Sequence, residues 1–236
     1  MKAELLYEGK AKQVYRTNTK SQLVLSYKND ATAFNGKKKA FFEGKGRLNN
    51  EISSRIFTYL QEQGISSHFI KRLNETEQLV HETAIIPLEV VIRNVATGSI
   101  LKRLGLKEGM PFQPPLIELF YKNDELDDPL INDDHALLLT NITVSELKEI
   151  KAKALEVNTV LRELYQSLNL DLIDFKLEFG RSITGEIVLA DEISPDTCRL
   201  WDRDTREKMD KDVFRQGTGD LLEVYEIILH RLEERK

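Results

Sequence analysis

Cysteine is almost missing: the chain of 236 residues has one, Cys198. That excludes an intramolecular disulfide framework and fits a reducing compartment. Long apolar runs are missing too. The longest, Ala84 to Ile92, contains Pro87 and Glu89 and falls well short of the roughly 20 residues that span a bilayer. The opening MKAELLYEGK meets charge before any apolar stretch of signal-peptide length, so no secretory signal is expected. Neither sign of charge dominates: 34 Lys and Arg stand against 39 Asp and Glu, a net charge of −5. The pI of about 5.6 argues against a general nucleic-acid binder. The histidines, at 68, 81, 135 and 230, lack metal-ligand spacing, and with one cysteine no zinc site is indicated. There is no GxSxG elbow, no internal repeat and no low-complexity linker.

What is present suits a folded, cytoplasmic globular protein. Hydrophobic residues make up 41% of the chain, including 10 Phe and 7 Tyr, enough for one large domain or two small ones. Basic residues cluster at Lys10 and Lys12, Lys37 to Lys39, Lys45 with Arg47, and Lys102 with Arg103. Local basic patches on a mildly acidic chain suit small anionic ligands better than long polyanions, although Lys37 to Lys39 alone reads as a solvated loop.

The front of the chain reads as short strands. LLYEG and KQVYRT flank Gly9, and LVLSY follows a polar turn. After Ala31 the segment FNGKKKAFFEGKGR reads as a basic loop. Leu48, Ile52, Ile56 and Tyr59 then repeat at helical spacing, with Gly64 as a C-terminal cap. Strands are expected around HFIKRL, EQLVHE and IIPLEVVIRN. Farther on, Leu147, Ile150, Ala154, Val157, Leu161, Leu164 and Leu168 mark one side of a long helix, better read as core than as a coiled-coil seam. Thr143 and Glu146 offer a capping box at its start. DLIDFKLEFG and GEIVLADEI read as a hairpin, and Leu221, Tyr225, Ile228 and Leu232 as one side of a last helix. The class is α+β: a β-rich lobe over residues 1–81 and a larger mixed lobe over 82–236.

Three segments carry candidate chemistry. Along DLIDFKLEFG, alternation sends Phe175, Leu177 and Phe179 to one face and Asp174, Lys176 and Glu178 to the other. On the returning strand Ile187, Leu189 and Asp191 share a face, and a tight turn near Ile183 sets Asp191 diagonal to Glu178. Two carboxylates beside a lysine suit a Mg²⁺–phosphate site, and the pattern equally fits a surface salt-bridge ladder. In IIPLEVVIRNVATGSILKRLG, Ser99 reads as the N-cap of a helix closed by Gly105, with Arg93 just upstream as a second anion contact. By itself that segment reads more simply as an ordinary capped helix. YEGKAKQVY matches neither nucleotide-loop glycine pattern, yet it sets Lys10 and Lys12 on one side of a strand. Cys198 lies next to Arg199 and reads as a small packing residue.

Taken together, six ordered segments resemble the phosphoribosylaminoimidazole-succinocarboxamide synthase (SAICAR synthetase) family of purine biosynthesis. They are YEGKAKQVY at 7–15, IIPLEVVIRNVATGS at 85–99, PPLIELFYKND at 114–124, IDFKLEFG at 173–180, LADEISPDTCRLWD at 189–202 and MDKDVFRQ at 209–216. The resemblance runs through nearly the whole chain and is weakest between about 130 and 170. It implies an ATP-grasp-like fold with a nucleotide held between the lobes. It also implies a ligase joining L-aspartate to the 4-carboxylate of carboxyaminoimidazole ribotide (CAIR) through an acyl phosphate, with release of ADP and phosphate. Mg²⁺ is the implied cofactor. ATP, CAIR and L-aspartate are the implied partners, with no nucleic acid or membrane, and a homodimer is expected.

Residue by residue, the resemblance implies Glu178 and Asp191 as Mg²⁺ ligands, and Lys10 and Lys12 on the ATP phosphates. Lys122 falls near the nucleotide, the backbone around Leu79–Glu82 (Val80 and Glu82 included) against adenine, and Glu89 toward the ribose. Arg93, Ser99 and Arg199 take the ribotide phosphate, while Asp174 and Lys176 stand at the reacting carboxylate. For L-aspartate, Lys211 and Arg215 are candidates. Two other classes remain to be weighed. A small-molecule kinase would carry an HRD-type loop, which the chain lacks. A nucleotide sensor would have lost a carboxylate at position 178 or 191, and both are retained.

Overall fold

In the computed structural model, which describes residues 2–33 and 38–235, the period-two segments at the front pair as expected. β1 (Lys2–Glu8), β2 (Lys12–Thr17) and β3 (Gln22–Tyr27) form an antiparallel meander. The segment read as a basic loop is partly a strand. β4 (Asp30–Ala33) pairs with β5 (Lys38–Phe41), while residues 34–37, with Lys37, lie outside the described residues. The basic run hides a β signal because Lys38 and Lys39 open the strand, while only Ala40 and Phe42, on the face of Lys38, pack against the core and Phe41 on the other face is exposed. After α1 (Lys45–Glu62), β6 (Phe69–Arg72) and β7 (Glu77–His81) complete a sheet ordered β1-β2-β3-β7-β6.

A second antiparallel sheet begins at β8 (Ala84–Val95) and continues through β9 (Pro111–Tyr121), β10 (Leu130–Ile131), β11 (Leu170–Arg181) and β12 (Ile187–Ala190). Its order is β10-β9-β8-β11-β12, with β13 (Cys198–Asp202) also on β11. Between strands lie α2 (Ser99–Leu104), α3 (Asp133–Thr140) and α4 (Val144–Ser167). α5 (Asp212–Gln216) and α6 (Leu221–Glu234) follow β13. No described helix is long and apolar enough to cross a membrane.

One apolar core joins α1, α4 and α6 to the second sheet. All seven stripe residues enter it, Leu147 to Leu164 on α4 and Leu168 at its C-cap, together with Phe175, Leu177 and Phe179 of β11. Each such side chain contributes about 1.5–3 kcal/mol when fully buried. The stripe is therefore core rather than a seam awaiting a partner. Thr143 and Glu146 form the expected capping box, and Asn94 and Asn158 exchange buried amide hydrogen bonds of 2.8 and 3.0 Å between β8 and α4.

Helix α1 is the hinge piece of this packing. Leu48, Ile52, Ile56, Phe57 and Leu60 face the core, while its polar side meets the first sheet. There Asn50 donates to the carbonyls of Asn74 and Glu75, both at 2.8 Å, and Gln78 donates to the Asn50 carbonyl at 3.2 Å. The helix starts so close to β3 that a Cβ at Gly46 would lie 2.7 Å from the Tyr27 carbonyl oxygen. At its other end Gly64, at φ 85°, closes the helix as the sequence predicts.

Two stability outcomes follow. Gly46→Ala forces helix and strand apart at a cost of about 1–3 kcal/mol, a fall in Tm of roughly 2–10 °C in a thermal melt. At the capping box, the Arg181 guanidinium and the Thr143 N–H lower the Glu146 carboxyl to about 2 from its ordinary 4.5. A depressed folded-state pKa contributes stability that is complete above 4.5 and fades as pH falls toward 2. The Tm gap between wild type and Glu146→Gln should therefore be widest near neutrality and narrow below about pH 4.5.

Candidate active site

The register between β8 and β11 builds the site. Arg93 stands opposite Asp174, Val91 opposite Lys176 and Glu89 opposite Glu178. Alternation sends Glu89 and Arg93 from one strand, and Asp174, Lys176 and Glu178 from the other, to the face away from the helical core.

At one end lies an arginine cluster. Arg93 Nη1 donates to Asp174 Oδ2 at 2.7 Å and its Nε to Glu118 Oε2 at 2.6 Å. Arg199, on β13, reaches the same Asp174 oxygen at 2.9 Å and holds Asp212 Oδ2 at 2.9 Å through Nε. Burial opposes the Arg199 charge, but Asp174 and Asp212 outweigh it and keep its pKa raised. Ser99 joins the cluster with its hydroxyl 3.4 Å from Arg93 Nη2, though not as the expected N-cap. Gly98 occupies the cap, and Ser99 is the first helical residue, with its side chain free to face Arg93. Only glycine fits at 98, because φ is 66° and a Cβ would sit 2.9 Å from the Arg199 guanidinium.

At the other end lies a lattice of lysines and carboxylates. Lys176 Nζ is 2.5 Å from Glu178 Oε1, 3.1 Å from Glu89 Oε1 and 3.4 Å from Asp191 Oδ2. Lys122 holds Glu178 at 2.7 Å, and Lys12 pairs with Asp191 and, at 2.9 Å, with Glu192. Lys10 reaches outward to Asp124 at 2.6 Å. Burial works against the Lys176 and Lys12 charges, yet Glu178, Asp191 and Glu89 keep the Lys176 pKa high, and Asp191 and Glu192 do so for Lys12. The Lys12, Lys176 and Lys122 ammoniums likewise hold Asp191 far below the usual carboxylate range.

Asp191 arrives by a different route from the one alternation suggested. Glu178 pairs with Ala190, so a continuing β12 would set residue 191 opposite Leu177, on the core face with Ile187 and Leu189. Instead the strand ends at Ala190 and Asp191 takes a left-handed φ of 61°, which brings its carboxylate to Lys12 and Lys176. That conformation costs a non-glycine residue about 1–2 kcal/mol.

This lattice floors a cleft of about 710 Å³. Val14, Leu23, Leu25, Val80, Ile85 and Pro87 supply an apolar wall. Lys10, Lys12, Glu89, Lys122, Lys176, Glu178 and Asp191 of the sequence-derived set all line the cleft. Glu82 does not. Its N–H donates to the Ser21 carbonyl at 2.9 Å, and it lines a neighbouring polar hollow with Ser21, Thr83 and Ser182. Of the two residues named for L-aspartate, Lys211 lines the cleft, whereas Arg215 is turned to Asp212 at 2.5 Å.

Several polar residues of the site were not singled out from sequence. Glu118 and Asp212 hold the two arginines. Asp196 is shared by Lys45 at 2.6 Å and Lys211 at 3.5 Å, and its other oxygen accepts from Tyr225 at 2.5 Å. Glu192 and Asp196 sit in LADEISPDT, whose three acids within six residues were the available signal. His68, buried beside the cleft, has its pKa pushed down to about 4 by desolvation. Cys198 is packing, as read: burial pushes its thiol up to about 12.

Known proteins are similar to this chain over nearly its full length. The SAICAR synthetase family profile matches residues 5–232. The phosphoribosylaminoimidazole-succinocarboxamide synthase of Oceanobacillus iheyensis is 71% identical over 234 residues, 99% of each chain. The crystal structure of the synthase from Ehrlichia chaffeensis superposes with a TM-score of 0.95 at 46% identity, covering 98% of both chains. A SAICAR synthetase in complex with ADP gives a TM-score of 0.94 at 49% identity over 99% of both. This chain belongs to the SAICAR synthetase family.

Proposed function

We propose that this chain is the ATP-dependent ligase that joins L-aspartate to the 4-carboxylate of CAIR, giving SAICAR, ADP and phosphate in purine biosynthesis. Family membership supports it, and one structural observation carries it to the residues. Asp174, Lys176 and Glu178, two apart on β11, run unbroken from the arginine cluster to the lysine–carboxylate cleft. A ribotide phosphate on Arg93, Ser99 and Arg199 would leave its carboxylate near Asp174 and Lys176, facing a nucleotide whose phosphates meet Lys10, Lys12 and Lys122. The apolar wall around Val80 suits adenine, with Glu89 toward the ribose.

A carboxylate is a poor electrophile, so the CAIR carboxylate first attacks the γ-phosphorus and ADP leaves. The aspartate amine then attacks the acyl carbon and phosphate leaves. Neither step needs an enzyme nucleophile. The side chains act by positioning and by stabilising charge on the transferred phosphoryl group.

Mg²⁺ fits this site. Glu178 and Asp191 are hard oxygen donors within reach of one lysine, and Mg²⁺ is commonly held by one or two carboxylates plus phosphate oxygens. No cage of three or more acidic, His or Cys ligands occurs among the described residues. The cleft lining sets five lysines against seven carboxylates, so a triphosphate needs accompanying cations. The ion supplies charge neutralisation for the phosphates. Lys211 is the better candidate for an aspartate carboxylate, since Asp196, the carboxylate it pairs with, is already taken more closely by Lys45 and Tyr225. The lobes 1–81 and 82–236, a cytoplasmic setting and a homodimer complete the reading. The change of sheet between His81 and Ala84 supports the first, and the single buried thiol fits the second. For the third, β1 carries exposed apolar Leu5, Leu6 and Tyr7.

ADP release with Mg-ATP, CAIR and L-aspartate, each omitted in turn, tests the function. ADP should form only with all three and in step with SAICAR. ADP formed without aspartate, alongside a phosphorylated product, would give a kinase, and no ADP from folded protein a sensor. Among variants, Arg199→Ala should raise the KM for CAIR by about 100-fold and that for ATP far less. Asp191→Asn should instead lower kcat by about 1,000-fold with the fold intact by circular dichroism. Equal losses for CAIR and ATP in Arg199→Ala would mark a structural role.

A further inference from the structure

We propose that His68 is a positioning residue for Asp191, its imidazole fixing the left-handed turn that presents the Asp191 carboxylate to the cleft. The inference rests on the assignment of Asp191 to the metal in the proposed function. His68 Nε2 lies 3.1 Å from the carbonyl oxygen of Asp191. A carbonyl only accepts, so the ring carries its proton on Nε2.

Asp191 needs such a partner. It stands one residue beyond the end of β12, where no ladder holds it, and in a conformation that a non-glycine residue adopts at a cost. Left to the alternation of β12, its carboxylate would face Leu177 and the core. The imidazole supplies the restraint that the ladder no longer gives.

His68 is itself fixed. The residue is 4% exposed, with its ring tilted against Phe57 at a centroid distance of 5.5 Å. Its N–H donates to the Leu189 carbonyl at 2.8 Å, and its own carbonyl accepts the His81 N–H at 2.7 Å. Its neighbour Ser67 bridges to Leu189. One residue therefore ties the first sheet, through β7, to the end of β12 and to Asp191. The carboxylate opposite the lysines takes its position from both sheets at once.

The test is Mn²⁺ binding in the presence of ADP, followed by electron paramagnetic resonance, for wild type, His68→Phe, His68→Gln and His68→Asn, with steady-state kinetics alongside. His68→Phe keeps the ring packing and loses the donor. It should weaken Mn²⁺ binding by about 10- to 100-fold and lower kcat, with the KM for CAIR near wild type. Glutamine places an amide nitrogen where Nε2 stood and should restore binding; asparagine, one carbon shorter, should not. If His68→Phe fails to fold, the glutamine–asparagine contrast decides alone. Wild-type Mn²⁺ affinity in a folded His68→Phe, or equal affinities for the glutamine and asparagine variants, overturns the proposal. Failure of the wild type to make SAICAR would instead count against the function, because metal–ADP binding is read without CAIR or aspartate.

Discussion

Everything at the site hangs on one register, that between β8 and β11. Sliding β11 by one residue would turn Asp174, Lys176 and Glu178 into the helical core and bring Phe175 and Leu177 to the cleft, and sliding β8 would do the same to Arg93 and Ile92. The register is fixed from the opposite face. There Leu88, Val90 and Ile92 join Phe175, Leu177 and Phe179 under α4, and the Asn94–Asn158 amide pair pins strand to helix. The apolar side of the sheet thereby sets the aim of its polar side.

Charges carry the rest. Arg93, Asp174, Glu178 and Glu192 are all nearly inaccessible, so each costs desolvation that only a close partner offsets. The partners are shared: Asp174 between two arginines, Glu178 between two lysines, Asp191 between Lys12 and Lys176. A shared partner can be given up to an anionic ligand without leaving either charge alone. Such networks are poor as sources of stability and well suited to exchanging one anion for another.

Much of this was legible in the sequence, for reasons that can be stated. Long periodic segments declare themselves: the stripe from Leu147 to Leu168, the alternation from Asp174 to Phe179 and the capping box at Thr143 all have the structure they suggest. The front strands do so because turn residues punctuate them. β5 was hidden because its lysines mask a strand with the composition of a loop. Ser99 was misplaced by one position because Gly98, pressed against Arg199, takes the cap for a reason far away in sequence. Asp191 could not be oriented from alternation, since a single positive φ reverses the face. Glu118, Asp212 and His68 gave no local signal; only tertiary pairing brings them to Arg93, Arg199 and Asp191.

The burial of Cys198 reaches beyond packing. Burial raises the thiol well above its ordinary range, so very little of it is ionised at neutral pH, and the thiolate is the species that reacts. Alkylating and oxidising reagents thus find almost nothing to attack in the folded chain. The protein is in effect a cysteine-free background in which a thiol placed at a chosen surface position becomes the one reactive handle for a fluorophore or spin label.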